Sequence, residues 1–285
     1  MEKLTSILAV VENSESGAVV LDKAVALARA FGARVDLLVA DSLLTPEFAS
    51  RCAARVYDEV TLCSLHRSGE PLHTLLLRRI HERPPDVVVK APSGVHPLRN
   101  WTLHSNDREL AAGSPVPLML VGMNPWSQPM RFAAAVDVSA PEGTLDTRAI
   151  LQAAGFLVLG CHGWLDILYS EREERDETVR MERAVKLAQL VREFHVGMER
   201  LQMFDGDPAR RLPPLITARH YDMLVLAVGP HDDAAAAVGS LAGKLADATA
   251  GDVVLVKGGR AARDAQREVA RSVRQQAAHD RQQFV

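Results

Sequence analysis

The chain has 285 residues, 47% hydrophobic and 24% charged, which is the make-up of a globular protein of about two domains and excludes disorder throughout. A formal net charge of −3 and a pI near 6.4 exclude the global basic field that recruits nucleic acid or acidic lipid. Aromatic residues, at 5%, are too sparse for a base-stacking surface.

Thr5–Glu12 is an apolar run (Ile7, Leu8, Ala9, Val10, Val11) ending in an acid, and its length and branched residues predict a buried strand. Ser14 and Glu15 open a helix whose apolar face is Leu21, Val25, Leu27 and Ala28, and Gly32 ends it. Arg34–Ala40 and Glu59–Leu65 read as the next two strands. Leu72, Leu75, Leu76 and Ile80 recur at helical spacing until Pro84-Pro85 stops the pattern. Asp86–Lys90 is a further strand with an all-valine core, and Pro117–Val121 is the last of this series. Asn124–Pro129 reads as a linker, after which the pattern restarts.

Phe132–Asp137 is again an apolar run ending in an acid with a serine two residues on, so Asp137/Ser139 corresponds to Glu12/Ser14. Val35-Asp36-Leu37-Leu38 corresponds to Leu165-Asp166-Ile167-Leu168, and Asp86-Val87-Val88-Val89 to Asp222-Met223-Leu224-Val225. Leu118–Val121 corresponds to Val253–Val256. The offset grows from about 125 to about 135 residues, which is a tandem duplication rather than a solenoid repeat. Glu171–Glu199, with Val179, Ala184, Leu187, Ala188 and Val191 at helical spacing, reads as one long amphipathic helix with a solvated charged face. The stretch after Gly258-Gly259 reads as a polar surface helix whose functional reading is a dock for a second chain.

Alternating strands and helices predict an α/β fold in which each copy is a parallel sheet with helices on both faces. Ligands of such sheets bind beyond the carboxyl ends of the strands, at the switch point, where Glu12 and Asp137 stand. Each acid reads equally as a helix cap.

The pattern resembles the universal stress protein family in its tandem, double-domain form. The residues that carry the likeness are Ile7–Ser14 with the helix through Ala28–Ala33, then Asp222–Gly229, Val238–Ala242 and Asp252–Lys257. The resemblance implies two five-stranded, mainly parallel, Rossmann-like domains of the adenine-nucleotide alpha hydrolase kind, joined as an internal pseudo-dimer through their last strands. The expected division is residues 1–124, residues 125–258 and a helical tail over 259–285. The resemblance also implies a site for ATP or AMP, with magnesium, built from the acid and a loop of the form G-x2-G-x9-G-[S/T]. Glycines let backbone N–H groups approach phosphates, and the helix after the last glycine offers its positive end.

Carried onto the second half, that site is Asp137, Val138, Ser139, Gly229, Gly239, Ser240 and Leu241. The loop departs from the family form: Asp232 stands at the middle glycine, Asp233 follows, and the loop is about three residues short. The first half departs further, with Ala91–Pro97 after Lys90 and Ser105-Asn106 in the glycine-serine place. No cofactor is therefore fixed by the residues, and no metal site or catalytic constellation is read. Gly239–Lys244 is one residue short of a phosphate loop, no G-x-S-x-G elbow or H-E-x-x-H appears, and Cys161-His162 cannot hold a metal alone.

Cys52, Cys63 and Cys161 lack the spacing of a disulfide framework and read as small apolar side chains. Met1–Leu4 runs straight into a strand without a signal peptide's apolar region, and no apolar run reaches the roughly 18–20 residues of a bilayer span. The expectation is a cytoplasmic, non-catalytic stress-response protein that binds a small molecule or a partner protein, without nucleic acid or membrane. It forms an internal pseudo-dimer, and homodimers of the whole chain stay open. Two other readings stay open as well: slow ATP hydrolysis in the second half, and carriage of a larger, partly apolar ligand between the halves.

Overall fold

The computed structural model describes residues 4–12, 14–40, 60–65, 71–93, 104–139, 141–171, 176–194, 200–228 and 240–257. The predicted tail, Cys52, Gly229, Asp232, Asp233 and Gly239 lie outside these residues.

Among the described residues ten strands form one sheet. They are β1 (Ser6–Val11), β2 (Arg34–Ala40), β3 (Val60–Leu65), β4 (Val87–Lys90), β5 (Leu118–Leu120), β6 (Arg131–Ala135), β7 (Trp164–Glu171), β8 (Leu201–Asp205), β9 (Met223–Val228) and β10 (Asp252–Lys257). The described helices are α1 (Ser14–Phe31), α2 (Leu72–Glu82), α3 (Ser105–Gly113), α4 (Pro141–Cys161), α5 (Glu177–Glu193), α6 (Pro208–Arg219) and α7 (Ser240–Ala248). The strand order is β3-β2-β1-β4-β5-β10-β9-β6-β7-β8, so each half contributes a five-stranded parallel sheet of the same order.

Alternation along each strand sorts the core into two layers. Ile7, Ala9 and Val11 face the layer made by α1, α4 and α5, whereas Leu8 and Val10 face the layer made by α2, α3, α6 and α7. Strands buried on both faces must be apolar throughout, which is why β1, β4 and β9 read as continuous runs.

The duplication is written into the register. Ile7 pairs with Val35 and Val87, and Phe132 pairs with Leu165 and Met223, as the sequence correspondence requires. The polar fasteners repeat too. Asp86 accepts from the Thr5 and Ser6 backbone N–H groups (2.6 and 3.0 Å), and Asp222 accepts from those of Ser127 and Arg131 (2.8 and 2.7 Å). Each aspartate thus ties the start of the first strand of its half to the start of the fourth.

The halves join where β5 and β10 pair antiparallel, Leu118 with Leu255, Met119 with Val254 and Leu120 with Val253. The exchange of partners about Met119–Val254 is that of an internal two-fold axis, so the structure is the expected pseudo-dimer. Strands of the two halves run in opposite directions, and their carboxyl ends lie at opposite edges of the sheet. Behind the seam, Lys23 of α1 reaches Asp252 (2.7 Å) and the Gly122 carbonyl (2.9 Å). Asp252, wholly buried, also accepts from Gly122 N–H (2.8 Å) and Trp126 Nε1–H (2.7 Å). Burial pushes its carboxyl upward against the pull of Lys23. Phe31 of α1 stacks on Phe156 of α4, with ring centres 4.7 Å apart.

One sequence expectation is corrected. Glu171 is the last residue of β7 rather than the start of a helix, and α5 begins only at Glu177 and ends at Glu193. Glu171 can end a buried strand because its carboxylate accepts from Tyr169 Oη–H and Arg183, both at 2.6 Å. The start of α5 is set by Asp176, which caps it by accepting from the Thr178 N–H at 2.8 Å.

Candidate functional site

The order of each half reverses between its first and fourth strands, β1/β4 and β6/β9, so two crevices open at the carboxyl ends of those pairs. Superimposed through the register, the pairs of equivalent residues are Glu12 with Asp137, Lys90 with Leu226, and, through the nine-residue helices α3 and α7, Ser105 with Ser240 and Asp107 with Ala242.

In the second half, Asp137 stands two residues beyond β6 and is exposed. Its Oδ1 accepts from the Ser139 N–H at 2.8 Å. Thr147, fully buried in α4, donates to the Asp137 carbonyl and accepts from its N–H (2.5 and 3.1 Å), which fixes the turn. The acid therefore shapes its own turn and still presents a carboxylate to solvent.

Of the predicted site residues, Asp137 and Ser139 lie exposed at the crevice. Val138 points instead into the core between sheet and helices, at 2% exposure. Leu241 is half-buried against the opposite apolar layer. Helix α7 begins at Ser240, where the glycine-serine pair places it. Because β6 and β9 are neighbours and parallel, Asp137 and the chain leaving Val228 emerge at the same edge. Gly229 and Gly239 lie outside the described residues.

Beside Asp137 stands Tyr169, which sequence reading missed. It is buried, and burial followed by its hydrogen bond to Glu171 pushes its hydroxyl far above the usual tyrosine range, with Asp137 adding a smaller push. Tyr169, Glu171 and Arg183 form a fixed polar wall on the β7 side of the crevice. The visible signal was an acid two residues after a tyrosine at the end of a buried strand.

The first-half crevice is different. Lys90, the end of the all-valine strand, is 1% exposed. Its Nζ donates to Ala91 O (2.7 Å), Asp107 Oδ1 (2.7 Å), Glu12 Oε1 (2.9 Å) and Ser93 Oγ (3.3 Å). Asp107, also 1% exposed, accepts from Ser93 N–H (2.8 Å) and Oγ–H (3.0 Å). Sequence reading took Lys90 only as a strand end and did not identify α3, which carries Asp107. A lysine in line with three valines was the available signal, since a buried lysine requires acids to meet it.

Among the described residues, no group of three or more histidine, cysteine, aspartate or glutamate side chains is placed to hold a metal. Cys161 is half-buried at the end of α4, and burial pushes its thiol up to about 11. No described helix is long and apolar enough to cross a membrane.

By sequence, the chain matches no protein-family model and no curated protein. Its structure is similar to that of a protein from Pseudomonas aeruginosa UCBPP-PA14 named for the universal stress family, with TM-score 0.79 and 18% identity over 94% of this chain and 99% of that one. It is similar to a functionally unknown protein of Pseudomonas aeruginosa PAO1, with TM-score 0.78 and 18% identity over 95% and 98% of the two chains. A universal stress protein of Archaeoglobus fulgidus matches with TM-score 0.61 and 13% identity over 90% and 97%. Over nearly its whole length, then, the chain has the fold of universal stress proteins.

Proposed function

We propose that this protein is a non-catalytic, cytoplasmic member of the universal stress family in its tandem form, and that it binds one small ligand of the adenine-nucleotide class per chain, in the second half. The observation that carries this reading is the asymmetry of the two crevices. Asp137 presents an exposed carboxylate at the switch point, on the edge from which the chain leaves β9. Its twin Glu12 is engaged by Lys90. A carboxylate there orients the polar part of a ligand, while the N-terminus of α7 at Ser240 offers backbone N–H groups and positive dipole to an anionic part. The non-catalytic part rests on the described side chains around Asp137: Thr147 and the Tyr169–Glu171–Arg183 wall are each tied to another group, and Asp137 itself holds the Ser139 backbone N–H.

Native mass spectrometry with and without ATP and magnesium tests the reading. The expected result is one nucleotide per chain for the wild type and, for Asp137→Ala, binding weakened about tenfold or more. A wild-type chain that takes up no nucleotide overturns the ligand class. Magnesium-dependent phosphate release above a buffer blank, lost in Asp137→Ala, overturns the non-catalytic part.

A further inference from the structure

Lys90 is out of place in the apolar logic of its strand. Val87, Val88 and Val89 are buried because the sheet is covered on both faces, and the next residue carries an ammonium into the same layer at 1% exposure. The second half shows that no charge is needed at this point. Where the first half has Lys90 and Asp107, the second has Leu226 and Ala242, both in apolar packing beneath the crevice.

Around the Lys90 nitrogen the first half has gathered acceptors only: two carboxylates, a hydroxyl and a backbone carbonyl, at 2.7 to 3.3 Å. They come from three separate places in the chain: the end of β1 (Glu12), the turn after β4 (Ala91 and Ser93) and the first turn of α3 (Asp107). The Ser93 hydroxyl gives its own proton to Asp107 and so is left to accept. Three N–H bonds on one compact cation match the three acceptors at 2.7 to 2.9 Å, with the Ser93 hydroxyl a looser fourth at 3.3 Å, whereas a planar guanidinium does not match this set.

We infer that the first-half crevice is a receptor for a primary ammonium group, and that the chain fills it with its own Lys90. The lysine is thus an internal occupant. It neutralises the acid that the second half leaves exposed, and it draws the turn after β4 and the start of α3 against the end of β1. The first half buries a cation at the place where the second leaves Asp137 exposed. This inference concerns the first half alone and stands whether or not the second half takes up nucleotide.

The test is chemical replacement of the occupant. Lys90→Ala leaves two carboxylates facing an empty space, and its melting temperature is expected to fall by about 10 °C. Methylammonium should recover several degrees of that loss, and tetramethylammonium at the same ionic strength should recover none, because it has no N–H to give. Equal effects of the two cations, or a Lys90→Ala chain as stable as the wild type, overturn the inference. If Lys90→Ala does not fold, the double variant Lys90→Leu/Asp107→Ala, which copies the second half, is expected to fold and to melt near the wild type. Its failure also overturns the inference. The wild-type chain supplies a further readout: acetylation by an amine-reactive ester should reach exposed Lys244 quickly and Lys90 only on unfolding. Comparable rates at the two lysines would mean that Lys90 is not held inside.

Discussion

Asp166 and Asp36 show how single residues carry the duplication and then diverge. Asp36 meets Arg79 at 3.2 Å and Arg83 at 4.0 Å, whereas its twin Asp166 collects Arg200, Arg219 and also the Tyr221 hydroxyl at 3.3, 3.4 and 2.9 Å. Burial, followed by the bond to Asp166, pushes the Tyr221 hydroxyl up to about 12. Because the folded value lies above the unfolded one, the folded chain holds this proton more tightly. Stability is full below pH about 10 and falls as pH rises toward 12, by no more than roughly 2–3 kcal/mol. Tyr221→Phe should lose that alkaline step while keeping the fold, and chemical denaturation at pH 9 and pH 11 would measure the difference. An equal drop in both proteins would assign the step elsewhere. Residues of this kind were partly legible. The Asp36/Asp166 repeat could be aligned by eye, but the partners lie on other elements, and a single chain gives no sign of which arginine reaches which acid.

At the scale of elements, buried periodicity was read correctly and polar chemistry was not. Strands β1, β2, β4 and β9 follow from their apolar runs, and α1 ends where Gly32 adopts φ +66°, a conformation glycine takes without cost. The end of β7 was misread because Glu171 looks solvated until its two partners are placed. Helix α6 was not identified from the sequence, and it carries Pro213 and Pro214 in its interior. The helix persists because Asp207 caps it, Pro208 opens it, and Leu212 and Ile216 are buried. Helix α4 carries a less visible constraint. A Cβ on Gly160 would come within 2.1 Å of the Phe31 ring, so this glycine sets how closely α1 and α4 approach. Gly160→Ala should therefore destabilise by about 1–3 kcal/mol despite alanine's better helix propensity. In a Phe31→Ala background the penalty should vanish and the substitution turn neutral or favourable. A double-mutant cycle by urea denaturation decides, and strict additivity would sink the argument.

The whole molecule is one sheet because β5 and β10 close each other's edge. The correspondence of the halves was legible from the repeat, and their pairing through last strands followed from the family resemblance. The fastening behind the seam was not, since Lys23 and Asp252 are 229 residues apart in sequence. The seam itself is packed: Met119, Val121, Val254 and Val256 belong to one continuous core that includes residues of both halves. Lys23→Met should cost about 3–5 kcal/mol, because it leaves the buried Asp252 carboxylate without its cation. Lys23→Met/Asp252→Asn should recover part of that, as read by thermal melting. A single variant as stable as the wild type would mean that the pair does not fasten the halves. Residues 125–258 expressed alone should self-associate through the bared β10, which sedimentation would detect; a clean monomer would count against the seam as the joint.

The opposite strand directions of the two halves have a further consequence. Asp137 and the lysine-filled crevice at Glu12 sit on opposite rims of the sheet, so the proposed ligand site would give the molecule a receptive end and an inert end. A protein that reports on ligand occupancy by touching the changed surface can approach from one side only. Tethering the chain to a support near Ser93 would leave the receptive rim facing solution, whereas tethering it near Ser139 would blind it.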